Sequence, residues 1–410
     1  MNRTKKVLLA IAAVIAALAG SAWYSLTADI RPPSVADLEV TRPDVLETGN
    51  AHPFLQEAAD VLQDRRRGVS ADEWIRKNNK ALELIRKAVE CERYLEPAVA
   101  SYEGQPRDLN YLRSLTRLIG ERTRVARKAN RYGDATDSCI ENLRYGKLLH
   151  VETETMYSFS MGMECLVQAL GSAGALARDP EMPVVELKRL SVKLGKLPPI
   201  SAGLAYALKS EYELMADKVD AVADGREPMV WGWLPQKMVL HPNRTKLMLA
   251  NWFRAAVSNA ELPLAEGVSL SDHEPRAPKL GDSSCLSRNS VGAWIVATWP
   301  QTVKLHMYRA RVAECYLRAT RLLVAIRLYR ERSGTPPAAL RLLVPDYIES
   351  VPIDPYDGKP FKYDSKEMIL YCVGEDLRDS GGSRENPSRA GGMACEMDHA
   401  VVADDVVFDL

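Results

Sequence analysis

Between residues 305 and 329 the apolar positions run Leu305, Tyr308, Val312, Cys315, Ala319, Leu322, Ile326 and Tyr329. That alternation of threes and fours lays one continuous stripe along a helix. Arg309, Arg311, Arg318, Arg321, Arg327 and Arg330 fall largely off the stripe, which predicts a long helix with one dry face and one basic, solvated face. Gly334 suits the left-handed position just past a helix end and Pro336-Pro337 cannot continue a helix, so the stop is well specified. Beyond it, Pro360–Tyr363 and Met368–Val373 read as strands of a hairpin whose loop is Asp364-Ser365-Lys366-Glu367. Period-two alternation places Ile369, Tyr371 and Val373 on the face toward the helix stripe. Asp354-Pro355 and Asp357-Gly358 are turn formers, through Asx side-chain bonds and a glycine that accepts positive φ.

Upstream, helical periodicity recurs in segments divided by short breaks. Ala71–Glu96 carries Leu82, Ile85 and Val89, and Asp108–Arg131 carries Leu112, Leu115 and Ile119. Ala135–His150 and the Met- and Ala-rich Glu152–Arg178 follow, then a helix opened by Pro183, then Ser201–Ala223 and Asn243–Glu261. The pattern is one of antiparallel helical hairpins. The join Asn130-Arg131-Tyr132-Gly133-Asp134-Ala135 is like the turn inside tetratricopeptide-type repeats, with no second copy at a fixed period.

At the N-terminus Arg3, Lys5 and Lys6 precede an uncharged run, Val7–Leu26, that ends near Trp23-Tyr24. At ~1.5 Å per residue it reaches about 30 Å, enough for a bilayer core. The expectation is a single-pass inner-membrane helix with its basic end in the cytoplasm. Ala17-Leu18-Ala19 offers the competing reading of a cleaved signal peptide. Either reading puts Asp29 onward outside the cytoplasm, in the periplasm. The predicted organisation is therefore an anchor or signal peptide at 1–28, a proline-bearing linker at 29–53, a helical body at 54–262, a second linker at 263–289, and a long helix with a small antiparallel β module at 290–410. In class the protein reads as mainly α, an extracytoplasmic helical-hairpin body with a C-terminal α+β module.

Charge is balanced over the whole chain, with 54 Lys and Arg against 54 Asp and Glu, but not locally. After Asp364 acids predominate, ending in Asp404, Asp405 and Asp409. Oxygen-rich, glycine-bearing loops of this kind suit calcium, and the plainer reading is a solvated acidic loop. Arg107, Arg113, Arg117, Arg122, Arg124, Arg127, Lys128 and Arg131 make another stretch strongly basic. It reads as a solvated face, or as a surface for anionic lipid or an acidic protein; nucleic acid is not an expected partner outside the cytoplasm. The seven cysteines allow Cys372 and Cys395 to close the acidic loop as a disulfide, worth on the order of 3 kcal/mol. Cys91, Cys139, Cys165 and Cys315 lie on apolar helix faces and read as buried thiols. No H-E-x-x-H, G-x-S-x-G, P-loop, G-x-G-x-x-G or C-x-x-C occurs, and the histidines are scattered without metal-ligand spacing.

The series Tyr329, Gly334, Pro337, Leu340, Val344, Tyr347, Pro352, Asp354-Pro355, Gly358-Lys359-Pro360, Tyr363, Tyr371, Gly374, Asp376, Gly381-Gly382 and Asp404-Asp405-Val406 resembles the C-terminal half of the major pseudopilin of type II secretion systems. It covers about a quarter of the chain, and its specificity lies in order and spacing rather than in any one residue. The whole chain also resembles bacterial proteins that attach this tail to an anchored helical body. The resemblance implies a long helix packed on a small antiparallel sheet, and calcium held by Asp376, Asp404 and Asp405. No acid lies within Val7–Leu26, where pseudopilins carry an early Glu, and Leu377 stands where the family has Gly.

The function these readings imply is that of a membrane-anchored interaction protein linked to type II secretion, not an enzyme, whose partner is an extracytoplasmic protein. Two alternatives make different demands on the structure. A periplasmic hydrolase requires a deep pocket of convergent His and acid residues, and a peptide-binding helical repeat requires a concave face of regularly spaced side chains.

Overall fold

A computed structural model describes residues 3–41, 49–65, 68–95, 109–151, 153, 155–228, 236–278, 288–383 and 405–410. The protein is mainly helical with one small three-stranded antiparallel sheet. Two compact units interleave along the sequence. Val40–Glu211, Val257–Val268 and Lys304–Leu410 form the larger, and Met1–Glu39, Tyr212–Ala256 and Ser269–Val303 the smaller.

In the larger unit the helices are α2 (His52–Val61), α3 (Ala71–Lys77), α4 (Asn79–Val89), α5 (Asn110–Lys128), α6 (Tyr132–His150), α7 (Met156–Ala177) and α8 (Val184–Gly195). To these it adds the first half of α9 (Ile200–Ala223) and most of α13 (Pro300–Ser333). The α5–α6 turn follows from Asn130, which takes a φ of 55°. That left-handed residue lets the Arg131 N–H donate back to the Ala126 carbonyl at 2.9 Å, a Schellman closure. Thr155 accepts from the Ser158 N–H and starts α7, and Ser70 accepts from the Glu73 N–H and starts α3. Leu82, Ile85, Leu112, Leu115, Ile119, Tyr145, Leu149 and Met161 share one core.

Helix α13 departs from the amphipathic expectation. Val312, Cys315, Ala319, Leu322 and Ile326 of the stripe are buried, but so are Ala313, Leu317, Leu323, Val324 and Leu328 on other faces. Leu305, expected on the stripe, is 40% exposed. Three of the arginines are not a solvated face either, because they donate to backbone carbonyls of neighbouring segments. Arg321 donates to the Leu194 and Leu197 carbonyls at the end of α8, at 3.0 and 2.7 Å. Arg327 donates to the Pro180 carbonyl at 2.8 Å, and Arg318 to that of Ile353 at 2.7 Å. Buried acids do the converse. Glu314 accepts from the Ile200 N–H that opens α9, and Glu211 from the Met156 N–H that opens α7. Cations at helix C-termini and anions at N-termini also complement the helix dipoles.

Against α13 lies the sheet, β1 (Lys362–Asp364), β2 (Ile369–Cys372) and β3 (Val406–Asp409), in the order β1-β2-β3. Lys362 pairs with Tyr371, and Leu370 with Phe408. The hairpin occurs as predicted, but its face is shifted by one residue. Leu370 and Cys372 enter the core with Leu322, Ile326, Tyr356 and Phe361, while Ile369 and Tyr371 are only half-buried; Val373, just past β2, is buried in that core as expected. Every position from Ile369 to Val373 is apolar, so alternation carried no phase to read.

The smaller unit holds α1 (Arg3–Thr27), α10 (Gln236–Val239), α12 (Ser290–Thr298) and parts of α9 and α11 (Pro242–Glu261). Asp29 accepts from the Asn243 and Arg244 N–H groups at 2.7 and 3.1 Å, capping α11. Asp37 holds Arg254 with both oxygens, at 2.7 and 2.8 Å. The N-terminal expectation requires correction: among the described residues no helix is long and apolar enough to cross a membrane. Helix α1 forms, but Ala12, Ala13, Ala16, Ala17, Ala19, Gly20, Ser21 and Ala22 carry little apolar area. The single-pass inner-membrane anchor, and the periplasmic placement read from it, are not shown.

Candidate functional site

Of the residues singled out in sequence, Asp376, Asp405 and Cys372 are described. Asp376 is exposed, and its carboxylate accepts from the Arg378 N–H at 3.0 Å in a local Asx turn. Asp405 is 2% exposed and accepts from the Ser380 N–H at 3.1 Å and the Gly382 N–H at 2.7 Å. Burial pushes its carboxyl pKa up, against the pull of those two donors. Asp404 lies outside the described residues. Among the described residues no three His, Cys, Asp or Glu side chains form a group able to hold a metal ion. Cys395 also lies outside the described residues, and the Cys372 thiol faces Cys315, with the sulfurs 2.9 Å apart.

A polar hub that sequence reading took for a simple turn sits beneath the sheet. Asp354 is fully buried and accepts from the Tyr356 N–H at 2.8 Å, the Val373 N–H at 2.7 Å and Lys362 Nζ at 3.1 Å. Lys362 also donates to Asp357 at 3.0 Å. One carboxylate thereby ties the 352–361 turn to the end of β2. Burial raises the Asp354 pKa, and its N–H and ammonium partners oppose that rise.

Two histidines of the larger unit, His150 and His306, have depressed pKa values. His150 closes α6 with its ring fully buried; Nδ1 lies 2.9 Å from the Gly146 carbonyl and therefore carries the proton, while Nε2 has no hydrogen-bond partner among the described residues. Burial drives its pKa down to about 4, against the pull of the Gly146 carbonyl and Glu314. His306 Nδ1 lies 2.5 Å from Ser160 Oγ, and burial with Arg309 nearby lowers its pKa to about 4 as well. An unfolded histidine titrates near 6.5, so below that pH the unfolded chain takes a proton that native His150 refuses. Stability is thus complete above about pH 6.5 and falls away toward pH 4, His150 alone accounting for about 3 kcal/mol across that window. Urea midpoints measured from pH 7 to 4.5 should show the fall, and His150→Gln, which can still donate to Gly146, should flatten it. Parallel curves for the two proteins would contradict the assignment.

The basic stretch of α5 is largely neutralised. Arg113 pairs with Glu164, Arg122 with Glu141, Arg124 with Glu121 and Arg127 with Asp179, all at 3.0 Å or less. Part of it nevertheless lines an open cleft of about 850 Å³ beside α7. Arg65, Arg117, Arg124 and Arg127 line it with Asp64 and Glu121, and Asp179 holds Arg127, which leaves one cation in excess. Arg117 is exposed and has no carboxylate partner among the described residues. The wall includes Asn142, fully buried, whose Oδ1 accepts from Thr116 Oγ1 at 2.8 Å while Nδ2 has no partner. Trp74 and Tyr316 add aromatic surface. Neither His150 nor His306 lines this cleft. An open groove with an exposed surplus guanidinium can hold an anionic ligand. No protein-family model, no curated protein and no solved structure matches the chain.

Proposed function

We propose that this is a non-catalytic interaction protein, built from helical hairpins, that takes an acidic segment of a protein partner into the cleft between α5 and α7. The open cleft of about 850 Å³, in which the exposed Arg117 is unpaired by any described carboxylate, carries the reading. Paired arginines such as Arg124 and Arg127 are pre-positioned by Glu121 and Asp179, so little side-chain entropy is lost on engaging a carboxylate. A long helix lying on a small antiparallel sheet, with the Asp354-Pro355 turn beneath, supports a pseudopilin-like plan for the C-terminal module. That plan favours a partner from type II secretion assemblies.

The test is fluorescence anisotropy with the full chain and a labelled oligoglutamate peptide, at low and at physiological salt. Binding should weaken with salt. Arg117→Glu combined with Arg124→Glu should weaken it by about tenfold or more. A wild-type protein with no affinity for the peptide, or a double variant that binds equally well, would defeat the proposal.

A further inference from the structure

We propose that Cys315 and Cys372 form a disulfide that staples α13 to β2. The two sulfurs lie 2.9 Å apart, and both side chains are completely buried. A disulfide needs about 2.05 Å between sulfurs, so loss of the two thiol hydrogens leaves a closure of less than about 1 Å. The residues are 57 positions apart in sequence and come from different kinds of element, a helix and a strand. Cα positions across a helix–sheet contact do not bring two thiols face to face by default. Cys91 and Cys139 illustrate this, since the atoms their sulfurs approach are the Lys87 and Ala169 carbonyls. Ala319, Leu322, Tyr356, Leu370 and Val406 close the pair off in an apolar cluster.

The reaction balances with a small-molecule disulfide such as glutathione disulfide as the oxidant. One cysteine, as thiolate, attacks a glutathione sulfur, breaking that S–S bond and expelling one glutathione thiolate. The second cysteine then attacks the protein sulfur of the mixed disulfide and expels the other. Two protons and two electrons leave the protein, one S–S bond forms and one breaks. Burial raises the pKa of both thiols, so thiolate is scarce while the sheet is docked. Exchange therefore proceeds before the sheet docks on α13 or while it is lifted, and the finished bond is sheltered from reductants. The staple would span the whole turn region around Asp354, which makes the docking of the sheet dependent on the thiol–disulfide balance of its surroundings.

Full-length protein is refolded with glutathione disulfide and glutathione, free thiols are blocked with N-ethylmaleimide in denaturant, and the peptides are mapped by mass spectrometry. The expected product is a peptide carrying Cys315 joined to one carrying Cys372, lighter than their sum by two hydrogens. Oxidation should raise the melting temperature by on the order of 5 °C over the fully reduced protein. Recovery of both cysteines as maleimide adducts would overturn the proposal, as would a Cys372–Cys395 link. These readouts need only the wild-type chain, so a folding defect in Cys315→Ser or Cys372→Ser would not blur the result.

Discussion

Asp354→Ala should lower folding stability by about 4 kcal/mol, because it removes the sole carboxylate shared by three buried donors. The Tyr356 and Val373 N–H groups would lose an acceptor in a place water does not reach, each costing about 1–3 kcal/mol. Lys362 would keep only Asp357, whose side chain is itself mostly buried at the edge of the same pocket. Asp354→Asn keeps one amide oxygen and loses the charge, so its loss should be intermediate. Lys362→Met, made alone and together with Asp354→Ala, separates the ion pair from the backbone bonds. If the pair matters, the double variant should be less damaged than the sum of the singles. Hydrogen exchange supplies a local reading, in which the Val373 amide should lose protection before the amides of α6 do. Exchange at Val373 unchanged in Asp354→Ala would show that the hub does not hold the turn to the sheet.

What could be read in advance follows from how much of each signal was local. Helix existence was legible where punctuation and periodicity agreed. Pro183 stands immediately before α8, Gly334 and the proline pair stop α13, and the predicted Ser201–Ala223 and Asn243–Glu261 lie within a residue of α9 and α11. Ala71–Glu96 was read as one helix, whereas the structure divides it at Asn78. The side chain of Asn78 donates to Gln63 and Trp74 carbonyls and accepts from the Gln63 N–H, partners supplied by a segment that helix periodicity does not describe. Strand β3 carries little local signal, because Val406-Val407-Phe408 is short and framed by Asp405 and Asp409 and reads as part of an acidic tail. Only its pairing with β2 makes it a strand.

The cleft was legible only in part. The basic composition of α5 pointed to a surface for an acidic partner, and three of its arginines do line the cleft. Sequence could not show that Glu164, Glu141 and Asp179, distant in the chain, take up most of that charge. It could not show either that the arginines of α13 are spent on the carbonyls of α8 and of Pro180. Charge on a helix is read as solvated by default, yet a guanidinium satisfied by backbone oxygens can sit inside. The same blindness applies to His150, which looks like one of several scattered histidines until the Gly146 carbonyl at Nδ1 and the burial of Nε2 are seen together.

Gly162→Ala should be among the most damaging single-methyl changes available in this chain, on the order of 4 kcal/mol. Helices α6 and α7 approach so closely there that an added Cβ would land on the Leu149 carbonyl and 2.6 Å from the His150 nitrogen. Neither obstacle is a flexible side-chain tip; both are backbone in the last turn of α6. Gly146 faces α7 in the same way, with its added Cβ 2.6 Å from Leu166 Cα. Relief requires the two helices to separate, which would open the core that Tyr145, Leu149, Met161 and Cys165 help to fill. The same helix contains its own control. Gly171 is exposed on α7 with nothing near its added Cβ. There the substitution only removes backbone freedom from the unfolded chain and should stabilise by about 0.5–1 kcal/mol. Thermal melts of Gly162→Ala and Gly171→Ala should therefore move in opposite directions from wild type. A Gly162→Ala protein that melts at or above the wild-type temperature would mean that α6 and α7 do not meet backbone to backbone.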